Sequence, residues 1–209
     1  MTKSDLVLIG AGGHSRSCID VIEQEGKYRI AGLVGIKGEV GSRIFGYEVL
    51  TADDGLGELA KQIPNALVSL GQIQSAQPRI RLYEQALEAG FTFPFIIAPT
   101  AYISPHATIG AGTIVMHGTI VNSGVLIGNN CILNSRALIE HGTQVADHCH
   151  ISTGAILNGD TSIGLGSFIG SGSIIKEGVE IGARSLVGMG LTLRHNLMSG
   201  SKYFGESES

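Results

Sequence analysis

From Ile103 to Leu193 every sixth residue is aliphatic. The positions are Ile103, Ile109, Val115, Val121, Ile127, Leu133, Ile139, Val145, Ile151, Leu157, Ile163, Ile169, Ile175, Ile181, Val187 and Leu193. Helices repeat near 3.6 residues and strands at 2, so neither alone produces this pattern. Two residues before each aliphatic runs a column of mostly small residues, among them Ala101, Ala107, Thr113, Thr119, Ala137, Ala155 and Ser173. One residue after it come Gly110, Gly128, Gly164, Gly170, Gly182 and Gly188, with Asn122, Asn134 and Asn158. Gly and Asn best tolerate a left-handed backbone, so this third column predicts the corner of a turn. Each repeat, with an inward aliphatic, an inward small residue and a corner, makes one side of a triangle, and three repeats close a coil. Stacked at about 4.8 Å, residues 101–196 give about five coils, a prism roughly 25 Å long. This is the hexapeptide signature of a parallel β-helix.

The first half follows another rhythm. Leu6-Val7-Leu8-Ile9 is a short apolar run, followed by Gly10-Ala11-Gly12-Gly13-His14. Ser17 to Glu25 predicts a helix stopped by Gly26. Residues 30–34 and 66–70 predict further strands. Pro78 to Ala89 predicts a helix with Ile80, Leu82, Tyr83, Ala86 and Leu87 on its apolar stripe. Alternating strands and helices imply a small parallel α/β domain of Rossmann-like type. The strand, glycine turn and helix in succession suit a phosphate at the helix N-terminus, and an empty tight turn is the plainer alternative. The expected division is an α/β domain over 1–96, a β-helix over 97–198 and a loose tail over 199–209. The first domain is too short for a dinucleotide fold and fits a single nucleotide or a sugar nucleotide.

Composition narrows the function. Fourteen basic residues stand against eighteen acidic ones, a net charge of −4. No nucleic acid is expected as partner, because a broad positive field is missing. No apolar run reaches the length of a membrane span, so no membrane partner is expected and a soluble, cytoplasmic protein is. The 31 glycines are about twice the usual share, as a chain full of turns requires.

A prism filled with aliphatics carries its chemistry on its outside. The densest polar stretch is Asn134-Ser135-Arg136 through Glu140-His141, followed by His148 and His150. His141 lies two places beyond an inward aliphatic and is expected to point outward. There it is a candidate general base, or an exposed histidine without a role. A zinc site from His141, His148 and His150 competes, although their spacing matches no standard ligand pattern. Cys131 and Cys149 lie one full coil apart in the small inward column, which predicts two stacked, buried thiols in preference to a catalytic pair or a disulfide.

Over nearly its whole length the chain resembles the sialic-acid and bacillosamine pathway sugar acetyltransferases, a branch of the left-handed β-helix hexapeptide acyltransferases. The resemblance is carried by Leu8-Ile9-Gly10-Ala11-Gly12-Gly13-His14, by Ile97-Ala98-Pro99-Thr100-Ala101-Tyr102-Ile103-Ser104 and by Ile132-Leu133-Asn134 through Ile139-Glu140-His141. It implies a homotrimer with acetyl-CoA as co-substrate between neighbouring prisms and no metal. The N-terminal domain would hold a nucleotide-linked amino sugar, typically UDP-linked with a free 4-amino group. His141 matches the catalytic base, with Glu140 beside it and Asn134 near the acceptor. His150, Gly159, Gly170 and Gly188 fall on the coenzyme side, Gly159 as a backbone donor to the thioester oxygen. Gly10, Gly12, Gly13 and His14 match the sugar-nucleotide loop. The implied activity is N-acetylation by direct transfer, with O-acetylation of a sialic or related acid and a non-catalytic scaffold as alternatives.

Three departures stand out. Some relatives place an acid directly after the base, where this chain has Gly142. Relatives often carry an Asp-Asp pair after the second strand, where this chain has Gly35-Ile36. The C-terminal Gly-x-Pro-Ala segment common in relatives is missing.

Overall fold

The computed structural model describes residues 3–205. The N-terminal part is a five-stranded sheet built from β1 (Ser4–Ile9), β2 (Tyr28–Gly35), β3 (Arg43–Ile44), β4 (Tyr47–Ala52) and β5 (Asn65–Val68), in the order β3-β4-β2-β1-β5. All neighbours run parallel except the β3–β4 hairpin. β1, between two partners, is fully buried from Leu6 to Ile9, which explains its unbroken apolar run.

Three helices cover the sheet: α1 (Gly13–Glu25), α2 (Leu56–Gln62) and α3 (Gln77–Glu88). α1 begins ahead of the predicted start at Ser17, directly at the glycine turn, and Gly26 closes it in a left-handed conformation. α2 and the β3–β4 hairpin are too short to show a period in the sequence. α3 buries Arg79, Ile80, Tyr83 and Ala86. Leu87, assigned to the apolar stripe, is 47% exposed instead.

The C-terminal part is a three-sided parallel β-helix of two-residue strands. Face I stacks six of them, from Tyr102–Ile103 to Thr192–Leu193. Face II stacks five, from Thr108–Ile109 to Glu180–Ile181, and face III seven, from Ile96–Ile97 to Lys202–Tyr203. Through the repeat each strand pairs with its counterpart in the next coil, as in Val121 with Ile139. Lys202–Tyr203 pairs with Leu186–Val187. That part of the expected loose tail is therefore the last rung of face III, and residues 206–209 lie outside the described residues.

The aliphatic column fills the prism, with Cys131 and Cys149 inside it. Buried hydroxyls in the small column reach a carbonyl 15 residues on, just after an inward aliphatic: Thr113 to Gly128, Thr119 to Asn134 and Ser173 to Gly188, at 2.8, 3.0 and 2.6 Å. The two thiols make the same reach, to Ala146 and Gly164 at 3.2 Å. The small donors of this column thus satisfy these carbonyls.

The corner lies elsewhere than expected. Left-handed residues come three places after the inward aliphatic, as at Gly124, Asn130, Gly142 and Asp160, not one place after it. The glycines at the nearer position answer to crowding: a Cβ at Gly170 would stand 2.5 Å from the carbonyl carbon of Gly188 in the next coil. They let coils stack; the bend is made two residues later.

α1 and the sheet pack Leu6, Leu8, Ile19 and Ile22 onto the outer side of face III, against Ile96, Ile114, Met116 and Ile132. The polar surroundings of His150 lie next to this apolar seam.

Candidate active site

The outward column of face III reads Ile114, Ile132, His150, Phe168, Leu186. The N-terminal domain buries His150, which stacks one coil beyond Ile132. Its Nδ1 donates to the carbonyl of Gln72 at 2.6 Å, and its Nε2 accepts from the amide of Asn134 at 3.2 Å. These partners select the Nδ1–H tautomer. Burial, with the nearby Arg79 charge, pushes His150 down to about 4, against the opposing bond to Gln72. Asn134 is locked in turn, its Oδ1 accepting from the Ser135 N–H at 2.8 Å.

His14 stands in the first turn of α1 with its ring centroid 6.5 Å from that of His150. Burial first, then the charges of Arg79 and His150, hold it down to about 4. Gly10, at φ +118°, brings the loop close to β5, where a Cβ would stand 2.9 Å from the Leu70 nitrogen. Gly12 and Gly13 are different: a Cβ at either would meet nothing within 4 Å. Gly12 is the N-cap of α1, without a side-chain cap or an acid in the first turn. This helix end faces open space with bare backbone donors, the arrangement that receives an anion.

A cleft of about 600 Å³ continues from His150 along face III. Asn134, Ser152, Ser171, Gly188, Lys202 and the exposed Met189 and Phe204 line it, with Ile73 and Gln74 from the N-terminal domain. Gly170 lies beneath Gly188 in the stack. The cleft therefore joins Asn134, His150, Gly188 and, through the glycine loop above it, His14.

His141 is elsewhere. It projects from the corner between faces I and II, exposed as expected, and its ring rests on Gly159 of the next coil. Glu140 does not hold it: that carboxylate accepts from the Asn122 amide at 2.9 Å. No side chain among the described residues hydrogen-bonds the His141 ring. The carboxylate of Asp160 fills the space above Gly142 that a side chain there would need. Within one chain, His141, Glu140 and Gly159 are thus one prism face away from Asn134 and His150.

The three histidines weighed as a zinc site do not gather. His148 bonds the Asn130 amide at 3.0 Å and packs edge-on to Tyr83. No group of three ligating side chains stands close enough for a metal among the described residues. Burial raises Cys131 to about 12 and Cys149 well above its ordinary value, as expected of inert core thiols.

Arg79 carried no sequence signal. It is buried on α3 and donates to the carbonyls of Val68, Leu70 and Asn130 at 2.6, 2.8 and 3.3 Å. Burial lowers it to about 10. It ties β5 to a corner of the prism and so sets the height of the glycine loop over His150.

Residues 5–86 match the family described as the PglD N-terminal domain. Residues 124–158 and 160–194 match the hexapeptide repeat of succinyl-transferase. The chain is similar to perosamine N-acetyltransferase from Caulobacter crescentus, solved as a histidine-to-asparagine mutant with CoA and GDP-perosamine. Identity is 28% over 96% of this chain and 93% of that one, with a TM-score of 0.89. The chain thus joins a PglD-type N-terminal domain to hexapeptide repeats, and its structural neighbours are sugar N-acetyltransferases. The acetyltransferase domain of PglB from Neisseria gonorrhoeae FA1090, solved with acetyl coenzyme A, is 28% identical over 96% of both chains, with a TM-score of 0.87. WeeI from Acinetobacter baumannii AYE, at 20% identity and a TM-score of 0.82 over 95% of this chain and 96% of that one, shares the fold. The architecture is the expected one, a Rossmann-like α/β domain followed by a left-handed β-helix. No curated protein matches the sequence.

Proposed function

We propose that the chain is an acetyl-CoA-dependent N-acetyltransferase acting on the amino group of a nucleotide-activated sugar, with His141 as general base. The observation that carries this is the outward imidazole of His141 seated on Gly159, in a chain 96% of which is covered by each of two CoA-bound structural neighbours. The glycine loop, with Gly10, Gly12, Gly13 and His14, takes the nucleotide diphosphate at the α1 N-terminus. Acetyl-CoA lies along the cleft of Gly188, Gly170 and His150, where Lys202 offers a cation to its phosphates and Met189 and Phe204 offer apolar contact.

The working unit is a homotrimer. Face I presents an outward column of Tyr102, Ile120, Leu138, Ile156 and Ile174, apolar until Thr192 in the last coil, whereas the face II column holds Thr108, Gln144, Ser162 and Glu180 beside Leu126. Tyr102 is 55% and Ile120 41% exposed. Such a ridge favours a partner of the same kind. Face I is bounded by the His141 corner on one side and the Asn134 corner on the other. Packing three such faces about one axis sets the His141 edge of each subunit beside the Asn134 edge of the next. The halves that a single chain keeps apart then form one site.

In the reaction the amine nitrogen attacks the thioester carbonyl carbon. His141 takes the amine proton. The Gly159 N–H donates to the oxyanion, and the carbon–sulfur bond then breaks to release CoA. Asn134, fixed by His150 and Ser135, orients the acceptor. The thiols take no part.

The test is release of CoA thiol from acetyl-CoA with UDP- and GDP-linked 4-amino sugars, free sialic acid and a CMP-linked sugar. Amine-dependent release, lowered about 100- to 10,000-fold in His141→Ala, is expected. Release with hydroxyl acceptors alone makes the chain an O-acetyltransferase. No release with any acceptor overturns the enzymatic reading.

A further inference from the structure

At the end of β2 the chain returns a carboxylate to the glycine loop. The two segments touch: the Gly10 N–H donates to Val34 at 2.8 Å, and a Cβ at Gly35 would stand 3.2 Å from the Ala11 methyl. The same Cβ would stand 2.6 Å from Oε2 of Glu39. Glu39, one 3-10 turn further on, therefore fills the space of a side chain at 35. The Ile36 N–H holds it there, donating to Oε2 at 3.0 Å. Its Oε1 makes no hydrogen bond within the described residues. No cation among them pairs with it; the nearby Lys37 turns to Asp54 at 3.0 Å.

A cap on Ile36 explains one oxygen. It leaves a half-buried anion without a counterion beside a helix end suited to phosphate. Close to phosphate that charge is unfavourable, unless the ligand also brings hydroxyl donors. In parallel α/β folds, an acid at the end of the strand after a glycine turn meets the ribose hydroxyls of a nucleotide lying on that turn. Ile36, 68% exposed beside it, offers an apolar surface for the flat face of a base.

We infer that Glu39 is the specificity residue that reads the ribose of the nucleotide sugar. Oε1 accepts from the vicinal 2′- and 3′-hydroxyls while Oε2 stays with Ile36. The base lies along Ile36, and the diphosphate reaches back to Gly12 and Gly13. This assignment rests on the nucleotide-sugar reading above. It also supplies the acid that the sequence lacks at Gly35 and Ile36.

Calorimetric titration of the full chain with UDP and GDP, and with their 2′-deoxy and 3′-deoxy forms, tests it. The wild type is expected to bind its preferred ribonucleotide about 10- to 100-fold more tightly than a deoxy form, as for a hydrogen bond to a charged acceptor. Glu39→Ala should bind the ribonucleotide about as weakly as the deoxy form and show no preference. Glu39→Gln keeps an acceptor for the Ile36 N–H, so its thermal unfolding should match the wild type while its ribose preference shrinks. A Glu39→Ala protein that still discriminates, or a wild type that does not, overturns the role of Glu39 and leaves the nucleotide-sugar reading intact. A wild type that binds neither UDP nor GDP overturns both.

Discussion

The imidazole of His141 lies on Gly159: a Cβ built at 159 would stand 2.5 Å from its Cε1 and 2.8 Å from its Nε2. Gly159 is not in a left-handed conformation, so alanine suits its backbone and conflicts only with the ring. Gly159→Ala is expected to fold normally and to lose about 100-fold in kcat, the scale of a displaced reacting group. Thermal unfolding and CoA release measured together check this. Full activity would show that the ring works from another position.

Association and activity should fail together. Ile120→Glu and Ile156→Glu each place a charge on the apolar column of face I. Both are expected to sediment as monomers that keep their β-sheet circular dichroism and release no CoA. An active monomer would refute the shared site.

Stability should depend on pH through buried neutral histidines. His14 and His150 titrate near 4 when folded, below an unfolded value of 6.5. Below 6.5 the unfolded chain binds protons that the folded chain refuses. Stability is therefore full above about pH 6.5 and falls as pH drops toward 4. The loss is on the order of 3 kcal/mol for each group at the acid end. Urea unfolding at a series of pH values measures it, and His150→Gln should flatten the slope.

Arg79 makes a separate demand on stability. Removing its guanidinium strands the carbonyls of Val68, Leu70 and Asn130 in a buried seam. Arg79→Met is expected to cost about 3 kcal/mol or more in urea unfolding. A cost below about 1 kcal/mol would mean that these carbonyls find other donors.

The prism was legible because its inward column admits only aliphatics, so the period survives in the sequence. Its corner was misplaced because glycine serves two ends here. At Gly170 it makes room for the next coil, and at Gly142 it takes the left-handed bend. Composition alone does not separate the two. His141 was legible as an outward residue, but its distance from Asn134 depends on which corner each occupies. Arg79, Glu39 and Asp160 were invisible, because each acts on residues remote in sequence or hidden behind a turn. Periodicity reports what a side chain faces and says nothing of what it reaches.

Gly142 and Asp160 form the last such pair. They occupy equivalent corners of successive coils, both left-handed at φ +69° and +58°, and the Asp160 carboxylate occupies the space above Gly142. Gly142→Asp alone should collide with it and lower stability by about 1–3 kcal/mol. Asp160→Gly alone removes the acid that packs over Gly142, the residue after His141, and is expected to loosen the seat of the ring. A fall of about 10-fold in kcat is expected, the size of a slight displacement of a reacting group. The double variant Gly142→Asp with Asp160→Gly exchanges acid and glycine between the two corners. It should relieve the collision and restore most of the lost rate. If the double variant is as slow as Asp160→Gly while folding as well as the wild type, the carboxylate serves the corner and not the base.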